Sequence, residues 1–402
     1  MKNFTVSQIA TSVLLAGALS GCAGSGAITP AGGAPGAPVT NTAQAAPAAR
    51  EAAIASFVHA DSKKITVNPG QSIQAAIDSA SSGDTIVVMP GTYHEKGRAC
   101  PFKTTENCAI SITKNDITLV GMSGLKPVTL DNPGGKLAVG IGVGKYYQCT
   151  NKYTITGNKI VGFSVKGFTD SGIYGICMKN WEWAYDSAIK NKIYDFYPVF
   201  SSDGRVDNNY AQDATDTGFY VGISERIKVD HNVAVSNVSG YEFENTIDSL
   251  MEYNTANNNT GGILEFIIPG DPLERSSGNL IRYNVVMANN NKNKCSNGVV
   301  CTVPPGTGIL IIGGTNNETT SNYVTNNRAY GIALTDVCTA FTLTPQQCKK
   351  LPYNPLAEKN KITKNTALYN GLDLGWIPAS GKGNCWSNNQ SQTRVPSKLP
   401  KC

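Results

Sequence analysis

Charged residues are scarce in this chain. Asp, Glu, Lys and Arg make up 16% of its 402 residues, and the formal net charge is only +5. No basic stripe with interleaved aromatic residues stands out, so the sequence argues against nucleic-acid binding. Histidine occurs three times and no two cysteines have CxxC spacing, which disfavours a zinc site.

Long apolar runs are missing as well. The N-terminal apolar stretch, Ile9 to Leu19, has eleven residues, and a transmembrane helix needs about 20. Lys2 precedes it and Ser20-Gly21-Cys22 ends it, so residues 1–22 resemble a bacterial lipoprotein signal peptide. The resemblance implies lipidation of Cys22, and Ala23 after it implies an outer-membrane destination. An ordinary cleaved signal peptide with an incidental Cys22 is the alternative.

What recurs instead is glycine and asparagine, and the glycines are periodic. Gly218, Gly240 and Gly262 each open a short apolar strand, and 22 residues separate each from the next. Self-similarity at such a period indicates a solenoid, in which each repeat buries its apolar side chains beside its neighbours. The sequence therefore predicts an all-β solenoid of about ten coils.

The N-terminal third predicts a tether followed by a cap. Residues 23–60 are rich in Ala, Pro and Gly, so we expect a flexible tether, with one β-helix domain over residues 61–402. Ile73, Ala76, Ile77 and Ala80 share one helical face, which predicts a short amphipathic helix over 71–80. Such a helix would cover the apolar end of the solenoid and its unpaired strand edge.

An asparagine recurs at one offset in successive repeats. Stacked Asn side chains can hydrogen-bond one another along a solenoid axis, which explains the Asn content without invoking catalysis. These positions are Asn232, Asn254, Asn284, Asn322 and Asn365.

Ten cysteines follow Cys22, an even number that favours disulfides in an exported chain. Several are close in sequence, whereas Cys149 and Cys177 are 28 residues apart, roughly one solenoid turn. Stacked strands lie about 4.8 Å apart, within disulfide reach. The predicted pairs are Cys100–Cys108, Cys149–Cys177, Cys295–Cys301, Cys338–Cys348 and Cys385–Cys402.

Three segments resemble a known family: GDTIVVMPGTYHE at 83–95, the run from Asp216 to Gly270, and VPPGTGILII at 303–312. They are similar to exported right-handed parallel β-helix repeat proteins of the pectate-lyase-like superfamily. The resemblance implies a right-handed parallel β-helix with a short N-terminal capping helix. It also implies a second, co-exported protein as a partner. The superfamily includes lyases, hydrolases and epimerases of polysaccharides, although their complete signature motifs are absent here.

Alternation divides the glycine-led strands into two sets of side chains. The inward set is Ile173, Phe219, Tyr241, Ile263, Ile309, Ile332 and Leu372. The outward set, on the face that lines the groove in β-helix polysaccharide enzymes, is Tyr174, Tyr220, Glu242, Leu264, Leu310, Ala333 and Asp373, followed by Ile176, Gly222, Glu244, Phe266, Ile312, Thr335 and Gly375.

This outward face holds one acidic zone. Paired carboxylates can act as general acid and base in glycoside cleavage, which makes Glu242, Glu244 and Asp216 the catalytic candidates. Alternatively, Asp213 and Asp216 are candidate Ca²⁺ ligands. Crowded carboxylates need either a metal or a raised pKa. The competing interpretation is a solvated acidic patch in which Glu244 and Asn245 brace the turn.

The predicted substrate contacts are Tyr220, Tyr174, Glu265, Phe266 and Asn245. Glu265 departs from the alternation, because an isolated inward carboxylate is costly. Either a bulge turns Glu265 outward, which we favour here, or it is buried against a donor. Trp181 and Trp183 are expected to pack under a loop rather than stack on a sugar, and His231 is expected to be structural.

Two functions of different class follow. In the first, an exported lipoprotein binds a polysaccharide in the groove and processes it as a lyase, hydrolase or epimerase, with Ca²⁺ as the conceivable cofactor. In the second, a non-catalytic scaffold lipoprotein docks a co-exported protein. The docking face would be Leu264, Phe266, Leu310 and Ile312, since a stacked exposed apolar patch marks an interface.

Overall fold

The structure is a computed structural model that describes residues 47–122, 127–145, 149, 153–296 and 298–402. The predicted signal peptide, the lipidation site Cys22 and the tether up to residue 46 lie outside the described residues. Helices within the described residues are all short, and none has the length and apolar composition that crossing a bilayer requires.

Three long sheets, named A, B and C, run side by side, and each coil of the chain adds one strand to each sheet. Neighbouring strands are parallel, except for the antiparallel pair β4 and β5 at the first end of sheet C. In the described residues sheet B has ten strands, which agrees with the predicted number of coils.

The strands are numbered in chain order. Sheet A contains β1 Lys64–Val67, β2 Thr85–Val88, β6 Thr118–Gly121, β9 Ile155–Thr156, β10 Lys159–Val161, β13 Met178–Ala184, β16 Ser202–Asp207, β19 Glu225–Asp230, β22 Leu250–Glu252, β25 Leu280–Arg282, β28 Glu318–Thr320, β31 Lys361–Thr363 and β34 Cys385–Ser387. Sheet B contains β3 Gly91–Tyr93, β7 Val128–Asp131, β11 Phe163–Lys166, β14 Ser187–Ile189, β17 Tyr210–Gln212, β20 Val233–Val235, β23 Thr255–Asn257, β26 Val285–Met287, β29 Tyr323–Thr325 and β32 Thr366–Leu368. Sheet C contains β4 Arg98–Cys100, β5 Lys103–Ile112, β8 Val139–Val143, β12 Ser171–Ile176, β15 Tyr194–Val199, β18 Thr217–Gly222, β21 Ser239–Glu244, β24 Gly261–Phe266, β27 Thr307–Ile312, β30 Tyr330–Thr335, β33 Leu372–Trp376 and β35 Arg394–Val395.

Four α-helices accompany the sheets: α1 Pro47–Ala55, α2 Ile73–Ser79, α3 Val337–Ala340 and α4 Pro345–Lys349. Single 3₁₀ turns occur at Val299–Thr302 and Pro378–Ser380. Helix α2 is the predicted cap: the Ser72 side chain accepts a hydrogen bond from the Ala75 amide, and Ile73 and Ile77 are buried in the core.

Helix α1 lies inside the segment predicted to be a flexible tether. Its Ile54 is fully buried and packs with Val120, Val161 and Ala184 on the outer face of sheet A. The Arg50 guanidinium also donates to the Tyr185 carbonyl. The packed part of the chain therefore includes residues from Pro47 onward, and the tether prediction is wrong for 47–55. A few apolar residues in an Ala-rich segment were too weak a signal to predict this docking.

The core lies between the three sheets and is built by stacking like on like. Phe196, Phe219 and Tyr241 occupy the same position in successive coils, with ring centroids 4.8 and 5.0 Å apart. Trp181 and Trp183 are also buried in this core, which confirms packing as their role. Gly204 in the next coil accommodates Trp181, because a Cβ there would lie 2.0 Å from the indole.

Asparagine ladders run along two corners, and a third corner carries a shorter one. At the corner between sheets A and B, each Asn side-chain oxygen accepts the backbone N–H and side-chain N–H of the Asn one coil earlier, as in Asn232 to Asn254 at 2.9 and 3.0 Å. The predicted ladder is thus confirmed. Sequence reasoning missed the second ladder, five residues further along: Asn237, Asn259, Asn289, Asn327 and Asn370. The third includes Asn279, Asn317, Asn360 and Asn384.

Strand β33 of sheet C is shifted by two residues from the prediction. Leu374, not Leu372, pairs with Ile332 and enters the core. Asp373 is therefore not in the predicted outward set: its carboxylate accepts the Asn370 amide at 3.0 Å and takes the place of the next ladder asparagine.

All five predicted disulfides are present, with Cα–Cα distances between 4.8 and 5.6 Å. The segment 270–305 is longer than one regular coil, and it is divided in two by β25 and β26, which belong to such a coil. Its second half does not project as a free loop. Instead, Val300 and Val303 fold back onto the outer face of sheet C.

The ladder predicts a large stability loss on removal of one amide. Asn254→Ala deletes the acceptor of Asn232 and the donor to the Val229 carbonyl, which are all buried. We expect a loss of about 3 kcal/mol or more in the free energy of unfolding, measured by urea denaturation. Asn257→Ala, a half-buried strand position of the same coil outside the ladder, is the control and should change stability by less than about 1 kcal/mol. Equal losses in the two variants would contradict the ladder's role.

Candidate functional site

Four carboxyl groups gather on the outer face of sheet C, and we call them the carboxyl cluster. Glu242 and Glu244 alternate along β21, and β18 places Asp216 directly before its first residue. Asp271 comes from the insertion that follows β24. Glu242 is 1% exposed, and Glu244 and Asp216 are each 7% exposed, so the cluster is not a solvated patch.

Glu242 is the member with an unmet hydrogen-bond acceptor. Its Oε1 atom is buried and has no hydrogen-bond partner. The Thr217 and Ser239 hydroxyls lie beside the Glu242 carboxyl and partly offset the rise in its pKa, while Thr217 donates to Asp216 at 2.8 Å and Ser239 donates to the Tyr241 carbonyl at 3.2 Å. A buried acceptor without a donor costs free energy unless something else supplies the proton.

Glu244 lies at the centre of the group. The Tyr220 hydroxyl donates a short hydrogen bond to its Oε1 atom. Burial holds the pKa of Glu244 well above its ordinary value, the Tyr220 bond opposes the rise, and the charges of Asp271, Glu242 and Asp216 add to it. Burial also raises the pKa of Asp271, and the nearby Glu274 contributes.

Glu242 and Asp216 influence each other's protonation. Burial raises the pKa of Glu242 to about 8, and the Asp216 charge adds to the rise. Burial raises the pKa of Asp216 to about 7, against the opposing hydrogen bond from Thr217. These values belong to the pair rather than to either residue. Near neutral pH the pair therefore holds about one proton, so an acid and a base stand side by side.

No positively charged side chain of the described residues acts on the carboxyl cluster. In the part of the chain that the structure describes, no Lys, Arg or His side chain perturbs the pKa of Glu242, Glu244, Asp216 or Asp271. Burial is the largest cause of the raised pKa in all four carboxyl groups.

Three tyrosine rings adjoin the carboxyls and form what we call the tyrosine cluster. Tyr194 and Tyr197 stack at 4.2 Å, and the Tyr197 and Tyr220 centroids are 4.5 Å apart. Asp216, Glu242 and Glu244 all raise the pKa of Tyr194, together with its burial, so its hydroxyl lies near the carboxyl cluster. Tyr194 and Tyr197 are only half-buried and present rings at the surface of the site.

The predicted calcium ligands do not converge. Asp213 lies 3.7 Å from the Lys294 ammonium and accepts from the Gln212 amide at 3.1 Å, whereas Asp216 contacts Thr217. Within the described ranges, no group of three or more His, Cys, Asp or Glu side chains has the arrangement to hold a metal ion. Calcium binding thus gains no support from the positions of these residues.

Glu265 points into the core, and no bulge turns it outward. It stays in register between Phe243 and Ile311 and is 1% exposed. Its Oε1 accepts from Ser276 Oγ at 2.9 Å and from Asn279 Nδ2 at 3.0 Å. The favoured bulge is therefore wrong, and the alternative of a buried donor is correct, because the corner asparagine supplies that donor.

The other predicted substrate contacts, Asn245, Phe266 and Tyr174, make structural contacts within the chain. The Asn245 amide bonds the Ile268 backbone in both directions, at 2.7 and 3.1 Å, and so braces the turn. Phe266 is 2% exposed under the insertion that carries Val300 and Val303. Tyr174 packs on Phe102 and Tyr197 at 4.6 and 4.8 Å, as an extension of the tyrosine cluster.

The same insertion removes the predicted docking face. Leu264 and Phe266 are each 2% exposed, and Leu310 and Ile312 are partly buried against the same cluster. An apolar patch that its own chain covers is not open to a partner. The sequence could not show this, because the covering residues lie in a segment without periodicity.

His231 lies on sheet A, away from the carboxyl cluster. Its Nδ1 atom is 2.8 Å from Asp230, and its ring stacks on Tyr253 at 5.2 Å. Arg205 holds Asp230 through two bonds of 2.9 and 2.8 Å. These contacts agree with the expected structural role of His231.

Asp271, Tyr194 and Tyr197 are the site residues that sequence reasoning missed. Tyr197 pairs with Tyr174 on one side and lies 23 residues before Tyr220. The period therefore contained the signal for Tyr197, although its coil lacks the opening glycine. Asp271 had no such signal, because it lies in an insertion.

Three parallel sheets, corner ladders and an outer-face carboxyl cluster define a parallel β-helix protein with a candidate catalytic face. The family model described as "Right handed beta helix region" matches residues 103–347, more than half of the chain. The chain belongs to this right-handed β-helix family. Comparison of the sequence with curated proteins finds no match.

Several solved structures resemble this fold at low sequence identity. DFA-IIIase from Arthrobacter chlorophenolicus A6 has a TM-score of 0.54 at 12% identity, covering 85% of this chain and 86% of its own. Endo-xylogalacturonan hydrolase from Aspergillus tubingensis has a TM-score of 0.52 at 12% identity, covering 84% of this chain and 98% of its own. The A-module of mannuronan C-5 epimerase AlgE6 from Azotobacter vinelandii has a TM-score of 0.51 at 12% identity, covering 81% of this chain and 95% of its own. Identities this low establish the shared fold alone.

The inward position of Glu265 predicts a pH-dependent effect on stability. Burial raises its pKa from 4.5 to about 7, against the Asn279 and Ser276 hydrogen bonds. Between these values the folded state keeps a proton that the unfolded state releases, so the stability contribution is lost as pH rises. Glu265→Gln abolishes this loss. Relative to the wild type, its melting temperature should increase between about pH 5 and about pH 8.5, by the equivalent of up to roughly 3 kcal/mol.

The matched control for this measurement is Glu318→Gln, the same chemical change on the outer face of sheet A. Its melting temperature should follow the wild type at both pH values. If the Glu265→Gln difference were also independent of pH, the raised pKa would be wrong.

Proposed function

We propose that the chain is a glycoside hydrolase that cleaves a polysaccharide at the carboxyl cluster. The observation that carries this proposal is the pair Glu242 and Asp216, buried together without a cation and with Glu242 Oε1 unpartnered. The names of the structural neighbours, which include a hydrolase and an epimerase acting on polysaccharides, support a carbohydrate substrate.

The chemistry follows from the shared proton. Protonated Glu242 donates to the glycosidic oxygen as the C–O bond breaks, and the bonding electron pair stays on the leaving oxygen. Asp216, ionised, then supplies the carboxylate that activates water or attacks the anomeric carbon. The hydrogen bond from the Tyr220 hydroxyl to Glu244 holds these two side chains in position beside Glu242.

Hydrolysis fits the site better than elimination or epimerisation. Those reactions remove a proton next to a sugar carboxylate, and positively charged side chains normally help to stabilise the charge that develops. The described surroundings of Glu242 contribute carboxyls and tyrosines instead. An acid and base pair of carboxyls is what glycoside hydrolysis requires.

We further propose that the protein is exported and held at an outer membrane by lipid on Cys22. Five disulfides fit an oxidising compartment outside the cytoplasm. A lipid anchor followed by the Ala- and Pro-rich segment would present the site to extracellular or periplasmic glycans. Labelling of Cys22 by a palmitate analogue in cells, lost in Cys22→Ser, would test the anchor.

Glu242→Gln should lower kcat on a cleavable polysaccharide by at least about 100-fold, because it removes the proton donor and keeps the size. Reducing-sugar release from a panel of neutral, amino and uronate polysaccharides measures this. In the wild type, activity should fall on the alkaline side through about pH 8, as Glu242 ionises. The measurement needs the chain from residue 47 or earlier, because truncation near residue 60 would delete the packed helix α1.

Glu318→Gln on sheet A serves as the control and should keep wild-type kcat. Turnover that survives Glu242→Gln unchanged would remove Glu242 from catalysis. Release of unsaturated sugars would show elimination instead of hydrolysis.

A further inference from the structure

The tyrosine and carboxyl clusters share a chemistry that narrows the substrate class. We propose that they bind the ammonium group of an amino sugar, so that the polysaccharide carries free amines rather than uronates. This inference rests on the proposed glycan function of the same site and adds the identity of the sugar.

The first argument is net charge. Glu242, Glu244 and Asp216 are buried on one face of sheet C, and besides burial the charge of Asp216 raises the pKa of Glu242, and the charges of Asp271, Glu242 and Asp216 raise that of Glu244. Burying negative charge without a partner costs several kcal/mol, and the carboxyls avoid part of that cost by keeping protons. A cationic ligand would favour their ionised forms, whereas a neutral sugar would not and a uronate would add negative charge.

The second argument is the unmet acceptor. Glu242 Oε1 is buried and has no donor, although the Thr217 and Ser239 hydroxyls lie beside the same carboxyl group. An ammonium group carries three N–H donors and no acceptor. With the Glu242 proton on Oε2, such a group would donate to Oε1 and leave donors for the neighbouring carboxylates.

The third argument comes from the rings. Tyr194, Tyr197 and Tyr220 lie within 5.3 Å of one another, centroid to centroid. Aromatic faces attract cations, and groups of such rings are a common means of recognising ammonium ligands. Tyr194 and Tyr197 are partly buried, whereas Tyr220, Glu242, Glu244 and Asp216 are buried, so these two rings lie on the side of the site nearer to solvent.

The chemistry of the reaction agrees with this sugar. β-Elimination and C5 epimerisation act on a carbon next to a carboxylate, which an amino sugar without a uronate group lacks. Hydrolysis needs only the glycosidic bond and the carboxyl pair. An amine-bearing substrate and the proposed hydrolysis are therefore consistent with each other.

Binding of three soluble tetrasaccharides to the purified chain at about pH 7 and low salt tests the proposal. The probes are β-1,4-linked glucosamine, its fully N-acetylated counterpart and tetragalacturonate, measured by titration calorimetry. We expect glucosamine tetramer to bind at least about tenfold more tightly than the N-acetylated tetramer, with galacturonate weakest. Equal affinities for the amine and its acetylated form, a preference for galacturonate, or binding of none of the three would overturn the proposal.

Two substitutions at Tyr194 separate the ring from its hydroxyl. Tyr194→Phe keeps the ring and should retain the preference for the amine, whereas Tyr194→Leu should reduce it by about tenfold. Asp271→Asn, in a loop that no sheet depends on, tests the charge if a buried variant fails to fold, and it should also weaken amine binding. Loss of the preference in Tyr194→Phe but not in Tyr194→Leu would contradict ammonium recognition.

The outcomes distinguish this inference from the hydrolase proposal. Turnover of a neutral or acetylated glycan that depends on Glu242, without preference for amines, would leave hydrolysis standing and remove the ammonium. Selective binding of the glucosamine tetramer with no turnover of any glycan would support the ammonium site and remove the enzyme.

Discussion

The need to hydrogen-bond buried backbone at the corners governs this β-helix. Wherever the chain turns between sheets, amide and carbonyl groups point away from the sheet ladders, and burying them unpaired is costly. Asparagine meets this need because its side chain donates and accepts at once, so each corner bonds to the coils before and after it. The spacing of coils is thereby set at the corners as well as by the strands. Asp373 ends one ladder by accepting where the next asparagine would have accepted.

This pinned register explains how carboxyls come to be crowded on an outer face. Since β18, β21 and β24 cannot slip past one another, Tyr220, Glu242 and Glu244 must remain beside their neighbours one coil away. The insertions then cover the face and exclude water, which turns a column of acids into groups with raised pKa values. The strands fix the positions of these acids, and burial raises their pKa values.

Repetition decided how much of the structure the sequence could predict. The glycine period, the first Asn ladder and the inward set from Ile173 to Ile332 follow from a fixed offset, and the five disulfides follow from neighbouring cysteines. Features that break the period were not predictable: the covering by Val300 and Val303, the contribution of Asp271, and the shift that moves Leu374 into the core. In these segments the position of each residue depends on tertiary packing, and no local pattern records it.

Glu242 and Glu265 show why burial by itself does not mark a functional group. Both are 1% exposed carboxyls on adjacent strands of sheet C, and burial raises both pKa values. Glu265 points between Phe243 and Ile311 into a packed core, where Ser276 and Asn279 bond its Oε1. Glu242 points to the opposite face, under loops and beside half-buried tyrosines and three other acids. The two carboxyls therefore differ in the face to which they point and not in their depth of burial. The alternation of a β-strand thus gives two similar acids separate roles, one in the fold and one in the site.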